Sequence, residues 1–148
     1  MRVRKADAYD MDWLVDKVRE HDRLMCYKRP LFTDEHLVAQ QLTHVMTHHV
    51  LFVAEDDASK DLCGLIAGHQ ARHPFNPDIQ VLSEILWWVE PSFRGKRAAA
   101  ALLTAYTEYG RSRVDSIICS HVYDPRARAS ALENRGFREL ERAYLLEV

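Results

Sequence analysis

The sequence predicts a single α+β domain, a mixed sheet in a three-layer arrangement with helices. Three observations lead there. Stretches of β and helical character follow one another as strand, two helices, three strands, helix, strand, helix, strand. Three strands in a row before a strand–helix–strand unit suit a mixed sheet and not a uniformly wound parallel one. The 148 residues are enough for one domain with a real core and too few for two comfortable ones, and no repeat, low-complexity tract or linker divides them.

Each element has its own warrant. Met1–Lys5 reads as a short strand, followed by an Asp-capped helix from about Asp10 to Leu24 with Trp13, Leu14 and Val18 at helical spacing. Pro30 breaks the chain, and Thr33-Asp34-Glu35 opens a second helix to about Met46 by cap chemistry. VLFVAE (Val50–Glu55) is a compact strand, and LCGLIAGH (Leu62–His69) is another, with Gly64 and Gly68 marking a bend. HPFNPD (His73–Asp78) reads as a loop, and Val81–Val89 as a long strand of high β propensity. A helix from about Lys96 to Arg111 follows, with Gly110 in its C-cap region. Ser116–Val122 is a strand, Arg126–Asn134 a short helix stopped by Arg135-Gly136, and Phe137–Leu146 one or two closing strands.

Composition narrows the function classes. Apolar residues at 47% and charged residues at 28% describe a soluble globular chain rather than a disordered one. A net charge of −2 supplies no global field for nucleic acid. Acidic residues gather in the first third and arginines between Arg94 and Arg142, which points to an anionic ligand in the second half or to solvated helix faces. Cys26, Cys63 and Cys119 are odd in number with no CxxC pair, so they read as free thiols in a reducing cytoplasm. The charged N-terminus lacks a signal peptide's apolar run, and no apolar stretch is long enough to span a bilayer, so no membrane role is expected. His44 and His48 share a helix face at i, i+4, but no third ligand stands at a telling distance and no metal is expected.

The stretch ILWWVEPSFRGKRAAAALL (Ile85–Leu103) carries the chemistry. It runs from a strand through a proline and a basic turn into a helix. The first turn of a helix leaves amides unpaired, and the macrodipole places positive charge there, so the turn is suited to a diphosphate. Arg97 adds a guanidinium within reach of such an anion. The bland alternative is that Arg94, Lys96 and Arg97 are solvated turn charges. Glu84 is an acid in an otherwise apolar run, VLSEILWWV, and reads as a general base or as a salt-bridged carboxylate. Glu55 and Glu90, at strand ends beside polar residues, are weaker candidates.

Strand, V-x-P, R-G-x-x-x-A opening an apolar helix, strand, and a short helix ending in R-G-F together resemble the GNAT superfamily of acyl-CoA-dependent N-acyltransferases. The family's loop pattern is Q/R-x-x-G-x-G/A; here it is Arg94, Gly95, Lys96, Arg97, Ala98, Ala99, with the central glycine replaced by Arg97. The resemblance implies a mostly antiparallel mixed sheet of six to seven strands with about four helices and two splayed parallel strands at the centre. It implies acetyl-CoA as cosubstrate, its diphosphate on Arg94–Ala99 and its pantetheine arm on the backbone of Trp87, Trp88 and Val89, with Ser116–Val122 as the partner strand. The Trp87 and Trp88 side chains read as sheet packing on opposite faces. Glu84 matches the family's base, which frees an amine of its proton. The family's acid is a tyrosine where this chain has Leu132, so Tyr123, His121 or water takes that role. Cys119 reads as a buried thiol rather than a nucleophile.

The implied activity is direct acetyl transfer to a primary amine of a small molecule or peptide, bound between the first two helices and the strand bearing Glu84. The acidic first helix favours a cationic acceptor. Dimerisation is common in the family. The alternatives are a CoA-binding module without catalysis, motivated by Leu132 and Arg97, and a nucleic-acid binder, which the near-neutral charge disfavours.

Overall fold

A computed structural model describes residues 1–25, 28–120 and 130–140. Strand β1 (Arg2–Lys5) leads through a 3-10 turn (Ala8–Asp10) into helix α1 (Met11–Met25), and helix α2 spans Glu35–His48. Strands β2 (Val50–Glu55), β3 (Leu62–His73) and β4 (Asn76–Val89) follow, then a 3-10 turn at Pro91–Phe93 and helix α3 (Ala98–Arg111). Strand β5 (Ser116–Ile118) and a single-turn helix α4 (Ser130–Glu133) complete the described elements. The five strands lie in the order of the chain; the first three junctions are antiparallel and the β4–β5 junction is parallel.

The predicted mixed, mostly antiparallel sheet is present, but the described residues hold five strands rather than six or seven. The parallel pair sits at the edge of this five-strand set, not at its centre. Residues 137–140 carry no strand, and the remainder of the predicted closing strands lies outside the described residues. The start of the predicted Arg126–Asn134 helix lies outside them as well.

Local chemistry accounts for the helix starts. Asp34 accepts from the Leu37 amide at 2.9 Å, capping α2. Ahead of α1 the cap falls at Asp7, three residues before the expected one, where Asp7 and Asp10 bond each other's backbone reciprocally. Asp10 is itself buried and takes two 2.7 Å bonds from the Arg4 guanidinium, which also reaches Glu55. One arginine thereby joins β1, β2 and the entry to α1.

The expected His73–Asp78 loop is instead a tight hairpin. His73 pairs with Asn76, so β3 and β4 run four and five residues beyond their predicted ends. Pro74 and Phe75 alone make the turn, and proline and asparagine, which suggest a loop, here flank two long paired strands. Gly110 is not a cap: α3 continues to Arg111, and the missing side chain lets Ile117 pack against the helix.

Two cores flank the sheet. On one face Leu14, Val15 and Leu42 of α1 and α2 meet Leu51, Val53, Leu65, Ala67, Leu86 and Trp88. On the other, Leu102, Tyr106 and Ala98 of α3 meet Val50, Ala54, Cys63, Ile66 and Leu82, with Trp87 partly buried against them. Trp87 and Trp88 thus pack on opposite faces, as expected of neighbours on a strand. No helix among the described residues is long and apolar enough to cross a membrane.

The histidines form one cluster at the end of α2. His44 meets His48 in a tilted contact at 4.6 Å and His49 edge to face at 5.3 Å, and His49 meets His69 of β3 edge to face at 4.2 Å. Among the described residues no three such side chains could hold a metal ion. Burial, then the nearby His69, His44 and His48, lowers the pKa of His49 below the ordinary imidazole value. A histidine kept neutral in the fold stabilises it above the unfolded pKa of about 6.5, and that contribution is lost as pH falls from there towards the folded value. Thermal unfolding at pH 7.5 and 5.5 should therefore show a drop in Tm that His49→Phe reduces. An equal drop in both proteins would show that His49 does not set the acid limit.

Candidate active site

Strand β4 organises the site because its two edges have different fates. Its antiparallel ladder with β3 runs the whole length, from Asn76 to Val89. Its parallel pairing with β5 covers only Val81, Leu82 and Ser83. Beyond Ser83 no described strand covers that edge. The divergence coincides with a bulge: Gly68 pairs with Glu84 and Ala67 with Leu86, leaving Ile85 as the extra residue.

Antiparallel pairing assigns the backbone groups on this edge. The Glu90 amide donates to the Cys63 carbonyl at 3.0 Å, so by alternation Trp88 directs its amide and carbonyl at β3. Trp87 and Val89 then direct theirs away from β3, along the open edge. The Val89 carbonyl accepts from Arg94 Nε at 3.0 Å, in keeping with that direction. Two of the three residues assigned to the pantetheine arm thus offer backbone groups on the open edge, whereas Trp88 offers a packed side chain.

Glu84 stands where the two strands part. Its Oε2 accepts from the Ser120 hydroxyl at 2.6 Å and from the Ser120 amide at 3.2 Å. Burial raises the carboxyl above its ordinary pKa, and the two bonds from Ser120 pull in the opposite direction without cancelling it. Cys119 lies alongside; burial and the charge of Glu84 push its thiol up to about 12, which keeps it neutral and a poor nucleophile. The other two carboxylates are committed elsewhere. Glu55 is bonded to Arg4, and Glu90 forms a 2.8 Å ion pair with the largely buried Lys17 of α1. Burial opposes the charge of Lys17, but its bonds to Glu20 and Glu90 outweigh that and raise its pKa.

The basic turn follows immediately. Gly95 adopts φ +76°, in the left-handed region, with open space where a side chain would stand. The Lys96 amide turns back to Phe93, and Ala101 donates to the Arg97 carbonyl at 2.9 Å in the first turn of α3. Among the described residues no acceptor serves the amides of Gly95, Arg97, Ala98, Ala99 and Ala100. The three basic side chains differ. Arg94 stacks 5.1 Å over the Trp88 ring while holding Val89, and Lys96 lies 4.7 Å over Phe93. Arg97, exposed at the N-cap of α3, makes no capping bond. The unpaired amides next to an open strand edge fit a group that is anionic at one end and amide-bearing along its arm, as CoA is.

Tyr123 and His121 lie outside the described residues. Leu132 is half-buried in α4, and its carbonyl accepts from the Arg135 and Phe137 amides. Two residues join the site that sequence reasoning missed, Ser120 and the buried Tyr106 of α3. Ser120 meets Glu84 only through the register of two distant strands, and Tyr106 is indistinguishable in sequence from any core aromatic.

Gly95→Ala should lower stability by about 1 kcal/mol, because a Cβ is disfavoured at that φ, with Gly95→Asn costing less. Denaturant melts check this; an unchanged midpoint in the alanine variant would show that the turn can give up its left-handed residue.

Residues 12–137 match the model of the acetyltransferase (GNAT) family. No curated protein matches the sequence significantly. Solved structures share the fold at low identity. A probable acetyltransferase is 18% identical with TM-score 0.78, covering 100% of this chain and 98% of its own. A predicted acetyltransferase from Clostridium acetobutylicum, solved with acetyl-CoA, is 18% identical with TM-score 0.72, covering 99% and 95%. Glucosamine-6-phosphate N-acetyltransferase from Arabidopsis thaliana is 11% identical with TM-score 0.75, covering 99% and 97%. With a strand edge, a turn and a carboxylate arranged as described, and the family model spanning most of its length, the chain belongs to the GNAT acetyltransferase family.

Proposed function

We propose that the protein is an N-acetyltransferase that moves an acetyl group from acetyl-CoA directly to a primary amine of a small molecule or peptide, with Glu84 as the general base. The observation that carries this reading is the placement of Glu84, a carboxylate of raised pKa at the point where β4 leaves β5. The unpaired amides of Gly95 and Arg97–Ala100, with Arg97 beside them, would hold the diphosphate. The open-edge backbone of Trp87 and Val89 would hold the pantetheine arm. Bound there, acetyl-CoA supplies an activated thioester.

This chain's own part is to remove a proton and keep the amine neutral. Amines are mostly protonated near neutrality, and a carboxylate whose pKa is raised towards the working pH is the better matched base. Ser120 orients the carboxylate through Oε2. Leu132 offers no proton to the departing thiolate, so Tyr123, His121 or water fills that role. The free thiols Cys63 and Cys119 accord with a reducing cytoplasmic setting. The acceptor's charge is less directed than the acidic first helix implies. Of the three acids lining the groove between α1 and α2, Asp16 and Glu35 are bonded to Arg19, leaving Asp12 as the third.

Thiol release from acetyl-CoA across a panel of amines tests this. Glu84→Gln should lower kcat/KM about 100-fold or more while CoA still binds. Because the base works deprotonated, wild-type kcat/KM should fall as pH drops through a pKa above the ordinary glutamate value, and the variant should lack that limb. Full activity in Glu84→Gln would remove Glu84 from the chemistry. Tight CoA binding without turnover on any amine would favour a binding module.

A further inference from the structure

The mechanism leaves one buried polar group beside Glu84 unused. Tyr106 of α3 is fully buried, and among the described residues its hydroxyl has no hydrogen-bond partner. A buried hydroxyl in that state is costly, and native cores seldom keep one without a function or a bound water. The surrounding packing is shaped for it. A side chain at Gly68 would come within 2.5 Å of the Tyr106 ring and 2.7 Å of its hydroxyl oxygen. Glycine at position 68 thus leaves the space the phenol occupies, and Gly68 is the residue that pairs with Glu84 across the β3–β4 ladder.

The carboxylate has a matching vacancy. Both bonds from Ser120 go to Oε2, and among the described residues none goes to Oε1. Burial, with the nearby Cys119 and Glu84, raises the pKa of the Tyr106 hydroxyl, so it remains a donor throughout the working range. Among the described residues, the titratable groups that interact with Glu84 are Tyr106 from α3 and Cys119 beyond β5. From β3, His69 is turned towards His49 at the end of α2.

We propose that Tyr106 is a positioning residue for the base: its hydroxyl donates, through one buried water, to Oε1 of Glu84, the oxygen that Ser120 leaves free. The proposal rests on the reading of Glu84 as the base. Three donors then fix the carboxylate, the Ser120 amide and hydroxyl on one oxygen and Tyr106 on the other. They favour its charged form against the burial that opposes it, so the base ionises at a lower pH than burial alone would allow. A water in that position has both groups as partners, within the number a buried water needs.

Tyr106→Phe removes the hydroxyl and keeps the ring. Loss of a donor to the carboxylate should move the acid limb of kcat/KM up by about one pH unit and so lower kcat/KM about tenfold on the acidic side of that limb. CoA affinity should be unchanged. A merely structural role would alter Tm and leave the limb in place, and that result overturns the proposal. Glu84→Gln run alongside separates the two readings. If it abolishes the limb while Tyr106→Phe leaves it unmoved, the base reading stands and this one fails. A measurement on the unmodified protein guards against misfolding of the variant. The Tyr106 hydroxyl proton, followed by NMR, should shift as Glu84 titrates; a resonance indifferent to that titration overturns the proposal.

Discussion

Among the described residues, β4 is held along one edge for its whole length and along the other for only three residues, and the site depends on that difference. The ladder with β3 carries bulges at Ile85 and next to the hairpin, and the strand becomes buried only in its second half. The short parallel pairing with β5 ends at Ser83, one residue before Glu84. Pairing β5 further would satisfy more backbone groups but would close the edge on which Trp87 and Val89 present theirs. The bulge at Ile85 falls at this point, re-aiming the strand so that Leu86 and Trp88 enter one core while Trp87 packs on the other. Unpaired backbone, a bulge and a half-buried carboxylate are each costly, and they occur together where a ligand would compensate them.

Charge in this protein goes first to architecture. Arg4 binds Asp10 and Glu55 and so fixes β1 and β2 to the start of α1. Burial raises the Asp10 carboxyl, but the bonds from Arg4 and the Asp7 amide outweigh it and hold the group below its ordinary range. Lys17 ties the middle of α1 to Glu90 at the far end of β4. Arg94 clasps the turn onto β4 through the Val89 carbonyl and the Trp88 face. These pairs consume the carboxylates that compete with Glu84 for a catalytic role. Glu84, bonded to a neutral serine rather than a cation, keeps the raised pKa that base chemistry needs.

In the proposed function the basic turn would work through its backbone more than through its side chains. Arg94 and Lys96 rest on aromatic rings, and Gly95 takes the one conformation in the turn that favours glycine. Replacing the family's central glycine by Arg97 is compatible with this, because Arg97 has ordinary right-handed angles at the N-cap, φ −75° and ψ −10°. The loop needs its amides free, and an arginine there leaves them so.

Much of this protein is written in short-range sequence terms. Apolar period located α1, α2, β2 and α3, cap residues located the start of α2, and the V-x-P and R-G-x-x-x-A signals located the turn, because each depends on residues within one or two helical turns. Glu84 was legible for the same reason, as a charge within an apolar strand. What only the tertiary structure decided was pairing. Whether HPFNPD is a loop or a hairpin, whether Glu55 and Glu90 are free, and which hydroxyls meet Glu84 all depend on residues far apart in the chain. Ser120 lies 36 positions from Glu84, and the register of β4 against β5 brings them within 2.6 Å. Sequence specifies which groups are present and which face they take; the free edge of β4 exists only once β3 and β5 have claimed the rest of it.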